Sequence, residues 1–145
     1  MRVLLVVLLV AASACAHTTA PPPLPIEGAW QSDRARTLDS LEAAHPWPVK
    51  QWRLLSDPTF FGHMIKVYRG PMVFIVFEGK CSDPVAWHDV EAGMRVEDSL
   101  LYVPMTLLRG RPDEVFRRIS IEEAIRQYPC IAEAMARMEQ APEAE

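Results

Sequence analysis

Cysteine is scarce in this chain, three in 145 residues, and no two stand as Cys-x-x-Cys. The commonest zinc and dithiol redox motifs are therefore missing. Histidine occurs four times, at positions 17, 45, 63 and 88, never at the i, i+4 spacing of a metal-binding helix. Glycine is limited to six residues and no G-x-S-x-G nucleophile elbow occurs. Basic residues bunch only at Arg109, Arg111, Arg117 and Arg118, with Asp113 and Glu114 among them. That reads as a solvated face, and with a net charge of −4 it gives nucleic acid no footprint. No internal repeat is visible, and no apolar run approaches the ~20 residues a helix needs to cross a bilayer. Neither a metal nor a cofactor is expected.

What is present begins with an export signal. Met1 and Arg2 form a short positive start, and Val3 to Ala12 (VLLVVLLVAA) is an unbroken apolar run of h-region length. Small residues follow, Ala12-Ser13-Ala14, and then Cys15. Ala11-Ala12-Ser13-Ala14-Cys15 resembles the bacterial lipobox, in which the cysteine thiol becomes diacylated. The usual Leu three positions before the Cys is here Ala12, so plain secretion stays open, with cuts after Ala14 or after Ala16. Two acyl chains would anchor stably, since each buried CH₂ contributes roughly 0.8 kcal/mol. The resemblance implies a periplasm-facing lipoprotein of a bacterial envelope, and Ala16 in place of Asp resembles the default outer-membrane sorting signal.

Residues 15–25 then form a tether. His17-Thr18-Thr19-Ala20-Pro21-Pro22-Pro23-Leu24-Pro25 has no apolar period and is dense in proline, so it predicts extended chain. Removing residues 1–14 and the tether leaves roughly 120 residues, enough for one domain and not two. The expected organisation is a signal peptide over 1–14, a lipidated Cys15 with its tether to 25, one α+β domain over 26–140, and a frayed tail over 141–145.

Within that domain the periodicity predicts a first strand at Ile26–Trp30 with Trp30 in the core. A helix capped by Ser32 or Asp33 should carry Leu38, Leu41 and Ala44 on one side. His45-Pro46-Trp47-Pro48 breaks it, and a second short helix runs from Val49 to Leu55. The middle is β: Met64–Tyr68 and Met72–Phe77 are rich in β-branched and aromatic residues, and Arg69-Gly70-Pro71 between them has turn chemistry. Further strands are expected at Val85–Val90, Met94–Glu97, Leu100–Val103 and Val115–Ile119, with 78–84 as a loop. Ser120-Ile121-Glu122-Glu123 fits a capping box opening a C-terminal helix that Pro129 kinks or splits. Helices at the two ends and consecutive strands between them predict α+β with an antiparallel meander of five to seven strands.

Gly28-x-Trp30 with Ser32-Asp33 and Thr37-Leu38, the β-meander, and Glu114-x-Phe116-x-Arg118 together resemble the small lipocalin-like lipoprotein domains of bacteria. The likeness spans Ile26 to Ile119. It implies a small open or closed barrel with no assigned enzymatic activity, and at most seven strands give no reason to expect a roomy cavity.

Cys81 and Cys130 remain once Cys15 is set aside, and in an oxidising periplasm the pair is a disulfide candidate; two buried thiols are the alternative. Ser32-Asp33, Ser56-Asp57 and Ser82-Asp83 look like caps and turns rather than nucleophile sites. Glu122-Glu123 belongs to a helix's opening turn, where the dipole favours acid. Trp47, Trp52 and Trp87 are candidate contacts to a ligand or partner, against the plainer reading of core packing. Trp47, between Pro46 and Pro48, is the one least expected to be wholly buried.

Three functions follow from these residues. The first is a non-enzymatic envelope lipoprotein that binds a protein or a small apolar ligand. The second is a small periplasmic hydrolase with His63 or His88 as base. The third is a periplasmic enzyme inhibitor on a disulfide-braced scaffold.

Overall fold

A computed structural model describes residues 25–87 and 93–140. The expected signal peptide, Cys15, the expected tether up to residue 24, His17, His88 and the tail 141–145 lie outside the described residues. The described residues are α+β, with eight antiparallel strands and helices at both ends. In order these are β1 (Gly28–Ser32), α1 (Arg34–Ala44), α2 (Val49–Leu55), β2 (Ile65–Arg69), β3 (Met72–Phe77), β4 (Lys80–Cys81), β5 (Val85–Ala86), β6 (Arg95–Glu97), β7 (Leu100–Pro104), β8 (Asp113–Ile119), α3 (Ile121–Gln127) and α4 (Cys130–Gln140).

The sheet runs β4-β3-β2-β1-β8-β7-β6, with β5 also paired to β3. Its eighth strand comes from the segment expected to be loop. Glu78 and Gly79 both take positive φ, the turn that matches strand twist, and this hairpin returns the chain as β4 against Val76 and Phe77. β4 and β5 are one edge strand broken by a bulge: the register is Val76↔Cys81 on one side of it and Val73↔Val85 on the other, one residue out of step. Ser82 bridges the break, its N–H donating to Ile75 O at 2.8 Å while its Oγ accepts from Ile75 N–H at 3.0 Å. Gly70-Pro71 closes the β2–β3 hairpin as the sequence predicts.

Period-2 alternation sorts the strands' side chains onto two faces. Ala29, Ile65, Val67, Phe74, Val76 and Ile119 face outward and are covered by Ala124 of α3 and Ile131, Ala134 and Met138 of α4. Trp30, Tyr68, Val73, Leu101 and Phe116 face the other way into a second cluster that also takes in Trp87 and Val96. Val73 lies in β3 and Val96 in β6, near opposite ends of the strand order, so the sheet curls over this cluster while its path of pairing stays open.

Two helices, α1 and α3, start where their caps predict. Asp33 Oδ1 accepts from Arg36 N–H at 3.1 Å, and Ser120 Oγ accepts from Glu123 N–H at 3.0 Å. Pro129 splits the C-terminal helix into α3 and α4. On α4 the buried alanine is Ala134, whereas Ala132 is exposed. On α1, Thr37 is fully buried beside Leu41, because its hydroxyl both accepts from Val115 N–H at 3.0 Å and donates to Val115 O. Cys81 of β4 and Cys130 of α4 are joined by a disulfide, with Cα atoms 6.0 Å apart.

Candidate functional site

The residues flagged in the sequence go to different places. Trp87 belongs to the sheet's inner cluster, edge-on to Tyr68, and its Nε1 donates to Gly70 O at 2.9 Å. Trp52 packs with Leu41, Leu55 and Phe61 in a third cluster under α1 and α2. Trp47 is half-buried at the edge of that cluster, held by its Nε1 donating to Leu41 O at 2.7 Å, with the His45 ring 4.0 Å away. His63 is exposed and its Nε2 meets Pro58 O at 3.1 Å. A hollow of about 340 Å³ brings it near Glu78 and Tyr128. Among the described residues, no three His, Cys, Asp or Glu side chains come together in a way that could hold a metal ion.

Among the described residues, Trp47 and His45 line a larger groove. The groove measures about 480 Å³, within the range of small-molecule sites. One wall is the break and short helix after α1, with His45, Pro46, Trp47, Pro48, Gln51, Leu54 and Leu55; the other is Leu107, Leu108 and Arg109. The two walls are brought together because the β7–β8 connection folds onto the end of α1. Gly110 comes so close to Ala44 that an added Cβ would lie 3.1 Å from the Ala44 carbonyl oxygen, and Ser40 Oγ accepts from Asp113 N–H at 2.8 Å. The rim is apolar and left in water: Leu107 is 99% exposed and Leu54 61%, with Val49 beside it at 68%. Inside, His45 Nε2 is shut away from solvent and makes no hydrogen bond among the described residues. The groove thus combines apolar walls with one unsatisfied ring nitrogen and an arginine at its mouth.

A second arrangement escaped the sequence reading, although its residues were in view. On β8, Glu114, Phe116 and Arg118 share one face, and Trp30↔Arg118 and Ser32↔Phe116 are cross-strand partners on β1. The Arg118 guanidinium lies 4.2 Å over the Trp30 ring and donates to the Glu27 and Pro25 carbonyls. Gly28 is required there: its φ is +117° and a Cβ would fall 2.9 Å from Arg118 Nη1. Further along the same face, Ser32 does not cap the helix. Its hydroxyl donates to Glu114 Oε1 at 2.8 Å and accepts from Gly62 N–H at 3.1 Å. Glu114 is therefore drawn inward rather than left on a solvated face. Lys66, only 6% exposed, sits by it with its Nζ 5.2 Å from the Phe116 ring centre.

Burial pushes the Lys66 ammonium down to about 8, against the pull of Glu114 in the opposite direction. Burial raises the Glu114 carboxyl, partly offset by the Ser32 hydrogen bond and by Lys66. An alternating strand such as Ile65-Lys66-Val67-Tyr68 would normally place its lysine in water. Here both faces of β2 are covered, which no local signal in the sequence reveals.

This cluster has a measurable signature. Lys66's folded value lies below its unfolded one, so between pH 8 and 10.5 the unfolded chain holds a proton that the folded chain has released. Stability then rises with pH, by about 1.5 kcal/mol from pH 8 to 9.5 on the linkage relation. Burial also raises the Tyr68 hydroxyl, which opposes the trend only once unfolded tyrosine ionises near pH 10. Urea melts across this window should show the rise in the native chain and lose it in Lys66→Met. An equal rise in both would assign it elsewhere.

No family model matches the chain, and neither a curated protein nor a solved structure is significantly similar to it.

Proposed function

We propose that this is an exported envelope lipoprotein, held by lipid on Cys15, that binds a small apolar ligand in the groove between α2 and the β7–β8 connection without transforming it. The observation that carries the reading is the groove's rim, where Leu54 and Leu107 stand in water at 61% and 99% exposure. Apolar side chains left so exposed around a concave, Trp47-walled surface are what a binding site for an apolar molecule requires. The lipobox-like Ala11–Cys15 and the proline-rich tether support placement at the periplasmic face of a bacterial membrane, the outer membrane by the Ala16 rule. Gly28, Trp30 and Arg118 support the likeness to lipocalin-like lipoprotein domains, although the proposed site lies outside the curled sheet rather than within it.

Native mass spectrometry of the chain purified in mild detergent from its host's membranes tests both halves. The expected species lacks residues 1–14, carries a diacylglyceryl group on Cys15, and retains a non-covalent apolar ligand that Leu54→Glu releases. A chain without acyl mass would refute the anchor. A ligand-free chain, or a ligand indifferent to Leu54→Glu, would refute the groove.

A further inference from the structure

We infer that the groove rim is a second membrane contact, which docks on a bilayer of anionic lipid. The inference rests on the groove reading above and names its partner. Charge is its first support. The chain carries a net −4, yet the segments 45–55 and 105–112 that build the groove contain Lys50, Arg53, Arg109 and Arg111 and no Asp or Glu. All four cations are exposed, and they accompany the exposed Val49, Leu54 and Leu107. Apolar side chains set among cations suit an anionic interface: the leucines enter the headgroup–acyl boundary, and each basic residue near the surface adds attraction to the anionic headgroups.

Reach is the second support. Pro25, where the described domain begins, is tied to Arg118, whereas the groove lies beyond Asp113 at the other end of β8. Five residues of strand separate these points, about 17 Å. The ten residues from Cys15 to Pro25 can span at most about 35 Å. A lipid on Cys15 and the rim leucines can therefore enter the same leaflet, with the domain lying against the membrane instead of standing off it.

The test uses a chain from Ala16 to Glu145, which has no lipid anchor and keeps every described residue. It is sedimented with vesicles of pure phosphatidylcholine or of phosphatidylcholine with 30% phosphatidylglycerol, numbers chosen to give about the charge of an anionic leaflet. Binding is expected only to the anionic vesicles and should weaken as salt screens it. Leu107→Glu and the pair Arg109→Glu/Arg111→Glu should each lower partitioning at least tenfold. Leu107 is 99% exposed, so its substitution leaves the fold intact. Absent binding, equal binding to neutral vesicles, or indifference to Leu107→Glu would overturn the inference. If monomeric oleate still bound the groove while vesicles did not, the membrane contact would fall and the ligand site would stand.

Discussion

Replacing Cys81 and Cys130 together by serine should cost about 4 kcal/mol of unfolding free energy, from the loop-closure entropy of a 49-residue cross-link. For a domain of this size that is a fall in Tm of roughly 10–20 °C. The bond joins the short edge strand β4 to the first residue of α4. That helix covers the outer face of the sheet through Ile131, Ala134 and Met138. Without the cross-link α4 is held by those side chains and by its junction with α3, so its amides should lose hydrogen-exchange protection before those of β1 and β2 do. Dithiothreitol added to the native chain should reproduce the effect. A double variant as stable as the native chain would mean that the cross-link constrains nothing the packing does not already hold.

Trp30→Ala should be as damaging, at about 3–5 kcal/mol. Trp30 is fully buried at the centre of the inner cluster, between Tyr68, Leu101 and Phe116. Its removal opens a cavity, leaves the Ile26 carbonyl without the indole N–H that reaches it at 2.7 Å, and takes away the ring beneath Arg118. Against a typical total of 5–15 kcal/mol such a loss leaves a marginal fold, so the variant is best followed by its urea midpoint at low temperature. Trp30→Phe separates the contributions. It keeps an aromatic face for Arg118 and gives up the hydrogen bond and part of the volume, and its loss should be clearly smaller. A Trp30→Ala loss below 1 kcal/mol would show that the curled sheet does not depend on this residue.

Much of the scaffold was legible because its signals are local. Asp33 and Ser120 cap the helices they precede, Gly70-Pro71 turns a hairpin, and Pro129 divides a helix, each through the conformations of a few adjacent residues. The segment 78–84 reads as loop throughout because β4, Lys80–Cys81, is two residues long and only its pairing with Val76 and Phe77 makes it a strand. The cysteine pair could be proposed from compartment and count, but what it joins could not.

The sites were far less legible. Glu114, Ser32 and Lys66 stand on three strands, and each is unremarkable in its own neighbourhood: a cap candidate, a charge in a basic stretch, a lysine in an alternating strand. The groove likewise needs residues 45–55 and 105–112 side by side, at least fifty positions apart in the chain. Sequence alone determined most element types and the antiparallel α+β class, since backbone preference and hydrophobic period act over a few residues. Only the tertiary structure decided which face each strand buries, which tryptophan borders a groove and which lysine leaves water. Those depend on long-range register and on what packs against each face, and neither is encoded within any single stretch.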